Sequence, residues 1–395
     1  MPDLTPLDIT VASRIYLPEP AAASFRLGAL ARGLRDAGAT TTVLTTVPPA
    51  TYDQPLAGHD GITVRRARVL RDPEGYVRGY AQYMSFDIPL FFRLLFRRRP
   101  SLIVVEPPPT TGFFVRIAAA ILRVPYVYYA ADIWSDAVQF TSAPPLVTRV
   151  VRGLEVWAMR GAAAVMCVSD EFTERLAELG VDGNVTTIGN GVDTDLFSRT
   201  GPVRDLGAPY LLYAGTASEV HGATIFLDAF ARVLERVPGA KLVFVGQGSE
   251  REELERMAAA LPADSVRFEP RLPPLEVSEW IRGASATLAS VRPDGYARAF
   301  PTKMYASAAC GTPVVYAGIG PGRDFANQPG LGRAVEYELD AVAEAMVASL
   351  AAPVTDDQRD AISAWATANV SLAAVAQRAV AVIDSVAITR PARRK

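Results

Sequence analysis

Short β-branched runs alternate with amphipathic helical stretches along nearly the whole chain, in two successive sets. The first set comprises residues 9–16, 41–46, 102–105, 126–129 and 165–168; the second comprises 211–214, 242–245, 266–268, 287–289 and 314–316. Helical patterns lie between them, for example at 25–36, 226–236 and 250–260. This order predicts parallel sheets flanked by helices, an α/β chain of two doubly wound, Rossmann-like domains. Many of the runs are apolar without polar alternation, as expected of strands covered on both faces. A length of 395 residues suits two domains. Residues 198–209, rich in Gly, Pro and Arg, read as the linker. Two such domains facing a central cleft would hold a ligand at the carboxyl ends of their strands.

Composition narrows the function. The net charge of −2 argues against nucleic acid as the partner. Cys167 and Cys310 sit in apolar stretches and read as reduced core thiols. Two cysteines and two histidines, His59 and His221, leave no zinc constellation, so no metal site is expected. The start of the chain lacks a charged-then-apolar signal pattern. The longest apolar run, residues 113–129, is interrupted by Arg116, Arg123 and Pro125, too broken for a membrane span. A soluble cytoplasmic protein is the expectation, with a tail at 390–395 that reads as disordered.

The segment Phe300-Pro301-Thr302-Lys303-Met304-Tyr305-Ala306-Ser307-Ala308-Ala309-Cys310-Gly311-Thr312-Pro313-Val314-Val315 carries the most chemistry. It reads as a loop, a short helix with Pro301 in its first turn, and a buried strand. A helix start attracts anions. Only Lys241, Lys303 and Lys395 are lysines in an Arg-rich chain. A Lys at this helix start supplies the compact charge that phosphate sites often use; a solvated Lys on an amphipathic helix is the plainer alternative.

This segment resembles the corresponding stretch of family-4 glycosyltransferases, and further motifs follow in the same order. They are Leu17-Pro18-Glu19-Pro20 through Arg26, Val124-Pro125 through Asp132-Ile133-Trp134, Asn190-Gly191-Val192-Asp193 with Phe197, and Tyr213-Ala214-Gly215 through His221-Gly222. The resemblance implies the GT-B fold, an N-terminal acceptor domain over 1–204, and a nucleotide-sugar domain over 205–364. Residues 365–395 would return to the first domain through a helix at 365–382. It implies a hexosyltransferase-type enzyme (EC 2.4) moving sugar from a nucleoside diphosphate sugar to a hydroxyl, retaining configuration and needing no cofactor. Bacterial polysaccharide, glycoconjugate or secondary-metabolite assembly is the expected setting. A non-catalytic GT-B protein that binds a sugar or partner is the alternative.

The resemblance also assigns residues. Lys303, the N–H groups near Thr302, and His221 would neutralise the diphosphate, with Gly215, Thr216, Gly246, Gly248 and Arg271 completing the donor site. The family's usual Arg and Lys around Gly215 and Gly222 are Thr216 and His221 here. Its two carboxylates fall on Arg298 and Ala306, which removes the usual ribose contact. Met304 and Tyr305 are expected to fill the space a Glu would take, and Arg298 would contact phosphate or a sugar acid, or face solvent. Asp132 would orient the acceptor hydroxyl or cap the next helix. Ala22, Ala23 and Ser24 would lie in a loop over the donor, Ser24 also reading as an N-cap. Phe91, Phe92, Arg97, Arg98 and Arg99 form either a core helix with a basic end or a peripheral contact with an inner membrane face, suited to a lipid-linked acceptor.

Overall fold

The structure is a computed structural model that describes residues 2–19, 21–49, 61–72, 75, 77, 79–139, 144–294 and 298–389. Pro20, His59 and the tail 390–395 lie outside the described residues. Two compact units emerge: residues up to Asn190 together with those from Leu372 on, and Gly191–Ser371.

The first unit is built on seven parallel strands: β1 (Asp8–Ala12), β2 (Thr40–Thr46), β3 (Ile62–Ala67), β4 (Leu102–Val105), β5 (Tyr126–Ala130), β6 (Ala164–Cys167) and β7 (Val185–Thr187). Their order is β3-β2-β1-β4-β5-β6-β7, so the winding reverses between β1 and β4. Register follows from the buried pattern: Ile9 pairs with Thr41 on one side and Leu102 on the other. One sheet face packs Leu27, Leu30 and Leu34 of the Ala22–Asp36 helix together with Val380 and Ile383 of the Leu372–Thr389 helix. At Gly33 those two helices pack in contact: a Cβ there would meet Ala376 and Val380 at 3.4 Å, ordinary van der Waals distance. The opposite face packs the helices Tyr80–Leu95, Pro109–Leu122 and Pro145–Arg160.

The second unit has six parallel strands: β8 (Tyr210–Ala214), β9 (Lys241–Val245), β10 (Val266–Glu269), β11 (Ala286–Val291), β12 (Val314–Gly318) and β13 (Gly332–Val335). Their order, β10-β9-β8-β11-β12-β13, reverses between β8 and β11. Ligands in open sheets of this kind sit outside the carboxyl ends of the strands at the reversal.

The structure departs from expectation at the unit boundaries. Residues 198–209 belong to the second unit, because Arg282 donates from Nε to the Pro202 carbonyl at 2.8 Å and from Nη1 to the Ser198 carbonyl at 3.0 Å. In place of one helix over 365–382 there are two, Asp356–Asn369 and Leu372–Thr389. The break is pinned where the Val192 N–H donates to the Val370 carbonyl at 2.8 Å and Val192 bridges to Ser371. Trp365 stays with the second unit, 5.6 Å from the Phe325 ring. Among the described residues no helix is long and apolar enough to cross a membrane.

One core group of the first unit is strained electrostatically. Asp87, on the Tyr80–Leu95 helix, is fully buried. Thr111 donates to its Oδ1 at 2.6 Å, while Oδ2 has no hydrogen-bond partner among the described residues. Burial pushes this carboxyl up to about 6, against the opposing pull of hydroxyl contacts and Arg14. A carboxyl whose proton affinity is higher folded than unfolded contributes stability that is full below the unfolded value of 3.8 and lost as pH rises through about 6. Asp87→Asn is therefore expected to stabilise the protein at pH 7.5 by about 1–2 kcal/mol, and to give no gain near pH 4. Melting curves of both proteins at the two pH values check this; an equal shift at both would rule out the buried charge as its cause.

Candidate functional site

The second unit holds a cavity of about 630 Å³ at the carboxyl ends of β8 and β9 and beyond the end of β10, with Thr287 and Leu288 from the start of β11 on its wall, within the roughly 300–1,000 Å³ of small-ligand sites. Its floor is backbone. Gly215 follows β8, and Gly246 follows β9; a Cβ on Gly246 would collide with the Gly215 carbonyl. Gly246 has φ of +137° and Gly248 +147°, a region that favours glycine. Gly248 does not line the cavity: its missing Cβ makes room for the Ala217 carbonyl beneath. Arg251 Nη1 ties the strand ends together, donating to the Gly246 carbonyl at 3.0 Å and the Glu269 carbonyl at 2.8 Å.

Lys303 opens the helix Lys303–Ala309, which is only seven residues long and begins two residues after Pro301 rather than around it. So short a helix has a small dipole, and the charge of this end is the Lys303 ammonium. The Lys303 stem passes over Gly215, where an added Cβ would lie 3.2 Å from Cε. Its Nζ sits 3.5 Å from the centre of the Tyr213 ring, an attractive cation–π position. Among the described residues that ring is its only compensation, since Nζ is buried and has no hydrogen-bond partner there. Burial accordingly pulls the ammonium down to about 7.

His221 lines the same cavity. Its Nδ1 lies 2.8 Å from the Ser218 hydroxyl, and its carbonyl accepts from Ser290 Oγ at 2.6 Å, so ring and backbone are both held. Burial, and then the Lys303 charge, push it down to about 4. His221 is thus neutral at physiological pH; the pH-dependent cation that the sequence allowed is replaced by a fixed dipolar group.

Thr216, Arg271, Thr302 and Ala306 also line the cavity. Arg298 does not. Met304 and Tyr305 do not fill the space beside Ala306. Helical steps of about 100° turn them away: Met304 is buried in a separate apolar cluster, and Tyr305 stacks on Phe300 at 4.5 Å. Ala306 instead lies in an apolar wall with Val192, Phe197, Leu272, Val277 and Ile281. No Asp or Glu is among the described residues lining the cavity. Sequence reading gave no role to Tyr213, Ser218, Thr287 or Ser307, although Tyr213 and Ser307 stand in its motifs; Thr287 Oγ1 donates to Ser307 Oγ at 2.7 Å on the cavity side of β11.

In the first unit, Asp132 follows β5 and is exposed. Surrounding protein raises its proton affinity, and Arg26 opposes that shift. Ala22, Ala23 and Ser24 lie not in a loop but in the first helical turn of Ala22–Asp36, behind Ala21 as N-cap. Ser24 lies inside the helix, buried and with its hydroxyl unpartnered among the described residues, so it does not cap. Sequence reading also missed Glu106, directly after β4. It forms a buried 2.5 Å ion pair with Arg26, and Ser13 Oγ donates to its other oxygen at 3.1 Å. The available signal was a lone acid at the end of an apolar strand, the same signal that singled out Asp132.

Both halves of the chain match known families. Residues 22–191 match the Glycosyl transferase 4-like domain, and residues 208–352 match Glycosyl transferases group 1. The chain belongs to this glycosyltransferase family. A curated relative, D-inositol 3-phosphate glycosyltransferase of Acidothermus cellulolyticus, is 32% identical over 181 residues, covering 40% of this chain and 39% of its own length. The chain thus spans about two fifths of that relative. Among solved structures, Anabaena HepE in complex with UDP and glucose shares the fold with a TM-score of 0.67 at 18% identity, covering 96% of this chain and 100% of that one. Sucrose-phosphate synthase of Thermosynechococcus elongatus does so with a TM-score of 0.71 at 16% identity, covering 97% and 100%.

Proposed function

We propose that this protein transfers a sugar from a nucleoside diphosphate sugar to an acceptor hydroxyl. The observation that carries the reading is Lys303: a buried ammonium without a hydrogen-bond partner, at one end of a cavity sized for a nucleotide. An incoming diphosphate would supply the charge-assisted hydrogen bonds this group lacks. Charge that develops on the leaving diphosphate as the anomeric bond breaks would fall on Lys303, with neutral His221 and the Thr302 and Thr216 region as donors. The apolar wall around Ala306 would take the nucleoside. Asp132 is assigned to the acceptor side, Arg271 to the base, and the transfer is read as retaining. Anabaena HepE, which shares the fold and was solved in complex with UDP and glucose, supports this donor class. The acceptor setting is read as polysaccharide, glycoconjugate or secondary-metabolite assembly, in a cytoplasmic protein.

A thermal-shift screen over nucleoside diphosphates and their sugars tests the reading. A ligand present at a hundred times its dissociation constant adds about 2.7 kcal/mol of apparent stability. A screen in which no nucleoside diphosphate raises the melting temperature would defeat it. We further propose that the diphosphate is neutralised by side-chain charge and dipoles without a required metal. Nucleotide-dependent stabilisation and slow release of nucleoside diphosphate from the sugar donor are then expected to persist in EDTA. Loss of both in EDTA, with recovery on adding Mg²⁺ or Mn²⁺, would overturn that part alone.

A further inference from the structure

We infer that the outer face of the first unit's three-helix layer docks onto an anionic lipid surface. The helices Tyr80–Leu95, Pro109–Leu122 and Pro145–Arg160 lie side by side on one face of the sheet. A continuous line of aromatic rings crosses all three. Phe96 stacks on Phe92 at 6.1 Å, Phe92 meets Phe91 at 5.3 Å, and Phe91 meets Phe114 at 6.1 Å. Phe114 meets Phe113 at 5.5 Å, and Phe113 meets Trp157 at 5.3 Å.

Much of this line and its surroundings is open to solvent. Phe96 is 84% exposed, Phe92 and Trp157 are exposed, and so are Ile88 and Ile121 on the neighbouring turns. The start of Pro145–Arg160 adds exposed Leu146, Val147 and Val150. Such a surface on a soluble domain marks an interaction site. Aromatic rings with basic neighbours suit the level of lipid headgroups, where one side is apolar and the other wet.

Charge selects the occupant. On these helices and their carboxyl ends, every exposed charged side chain is an arginine: Arg98, Arg99, Arg123, Arg149 and Arg160, the last with its head turned to the Gly180 and Leu179 carbonyls. The two acids within the same helices, Asp87 and Glu155, are fully buried. Glu155 is turned inward to accept from the N–H groups of Trp134 and Ser135 at 2.8 and 2.9 Å. A chain of net charge −2 thus presents a layer that is apolar and positive, with no exposed acid among the described residues of its three helices. Anionic headgroups complement that face; a second copy of the chain would set arginines against arginines. The sequence reading named part of this surface, and the structure redraws it. Arg97 turns away to Thr10 and Thr42, with Nη1 and Nη2 each 3.2 Å from a hydroxyl, and Phe91 is half-buried. The second and third helices, with Ile121 and Trp157, carry the rest.

Co-sedimentation of the full chain with vesicles tests the inference. Pelleting is expected with phosphatidylcholine–phosphatidylglycerol vesicles, with roughly tenfold less on phosphatidylcholine alone or in high salt. The double variant Phe92→Ser, Phe96→Ser changes two exposed rings and is expected to melt with the parent yet lose most of the pelleting. A second variant, Arg98→Gln with Arg99→Gln, should weaken binding to anionic vesicles and flatten its salt dependence. Absence of pelleting on anionic vesicles overturns the inference, as does pelleting that neither variant changes. Sedimentation velocity showing a dimer that the Phe variants break, without vesicle binding, would assign the face to a second copy instead.

Discussion

Lys303→Met is expected to weaken binding of a nucleoside diphosphate about ten- to hundredfold, the loss of one charge-assisted hydrogen bond or about 1.5–3 kcal/mol, while raising the melting temperature of the free protein. The two effects have one origin. The free protein holds an ammonium among apolar and aromatic neighbours without a hydrogen-bond partner, and a thioether of similar length removes the desolvation penalty. The pH dependence has a definite sign. Because burial brings Lys303 from 10.5 down to about 7, its contribution to stability is present above 10.5 and is lost as pH falls through about 7. A ligand anion restores the ammonium, so binding above pH 7 takes up a proton. Parent affinity is therefore expected to fall as pH rises from 7 to 9, whereas the variant's stays flat over that range. Calorimetry in two buffers of different ionisation enthalpy reads the proton directly. A variant that binds like the parent, or melts well below it, would show that Lys303 is a structural residue.

What the sequence disclosed about this site, and what it withheld, divides along physical lines. The ten runs all contain strands; nine of these are almost wholly buried, and burial on both faces writes itself into the sequence as runs without polar alternation, while the tenth, β10, is a half-buried edge strand marked by Val266 and Phe268. The three missed strands are sheet edges: β3 carries Arg65 and Arg66, β7 is three residues long, and β13 begins Gly332-Arg333. An edge strand is half solvated, so its composition resembles a loop. Lys303 was legible because a rare residue type stood in a recognisable frame. Its state was not. That Nζ is buried over Tyr213, and that His221 is neutral, depends on strands β8 and β11 and the Lys303–Ala309 helix meeting at one point. No local window of sequence contains that meeting. Asp87 and Glu106 show the same limit: both are isolated acids in apolar stretches, and only packing reveals which is paired with Arg26 and which retains an oxygen without a partner.

Ala306→Glu is expected to be tolerated by the fold and to give the site a preference, about tenfold or more, for ribonucleotides over their 2′-deoxy counterparts. The cavity beside Ala306 is open, since Met304 and Tyr305 point elsewhere, so the longer side chain enters existing space without the overpacking that a closed core would impose. The new carboxylate would stand three residues along the helix from Lys303, within reach of a cation that lacks a hydrogen-bond partner. This removes the objection to burying a lone charge, and it should return the Lys303 ammonium toward its ordinary range. A carboxylate is the usual partner of a ribose hydroxyl in nucleotide sites, and a hydrogen bond from that hydroxyl to a charged acceptor contributes about 1.5–3 kcal/mol. The parent cavity has no carboxylate among its described lining residues, so its own affinities for UDP and 2′-deoxy-UDP should lie within a few-fold of each other. Melting temperature and the ratio of the two affinities, measured for both proteins, separate the cases. A large drop in melting temperature would mean that the cavity closes around Ala306 in solution. An unchanged affinity ratio at unchanged stability would mean that the ribose lies elsewhere, and the nucleoside would have to be reassigned to another wall of the cavity.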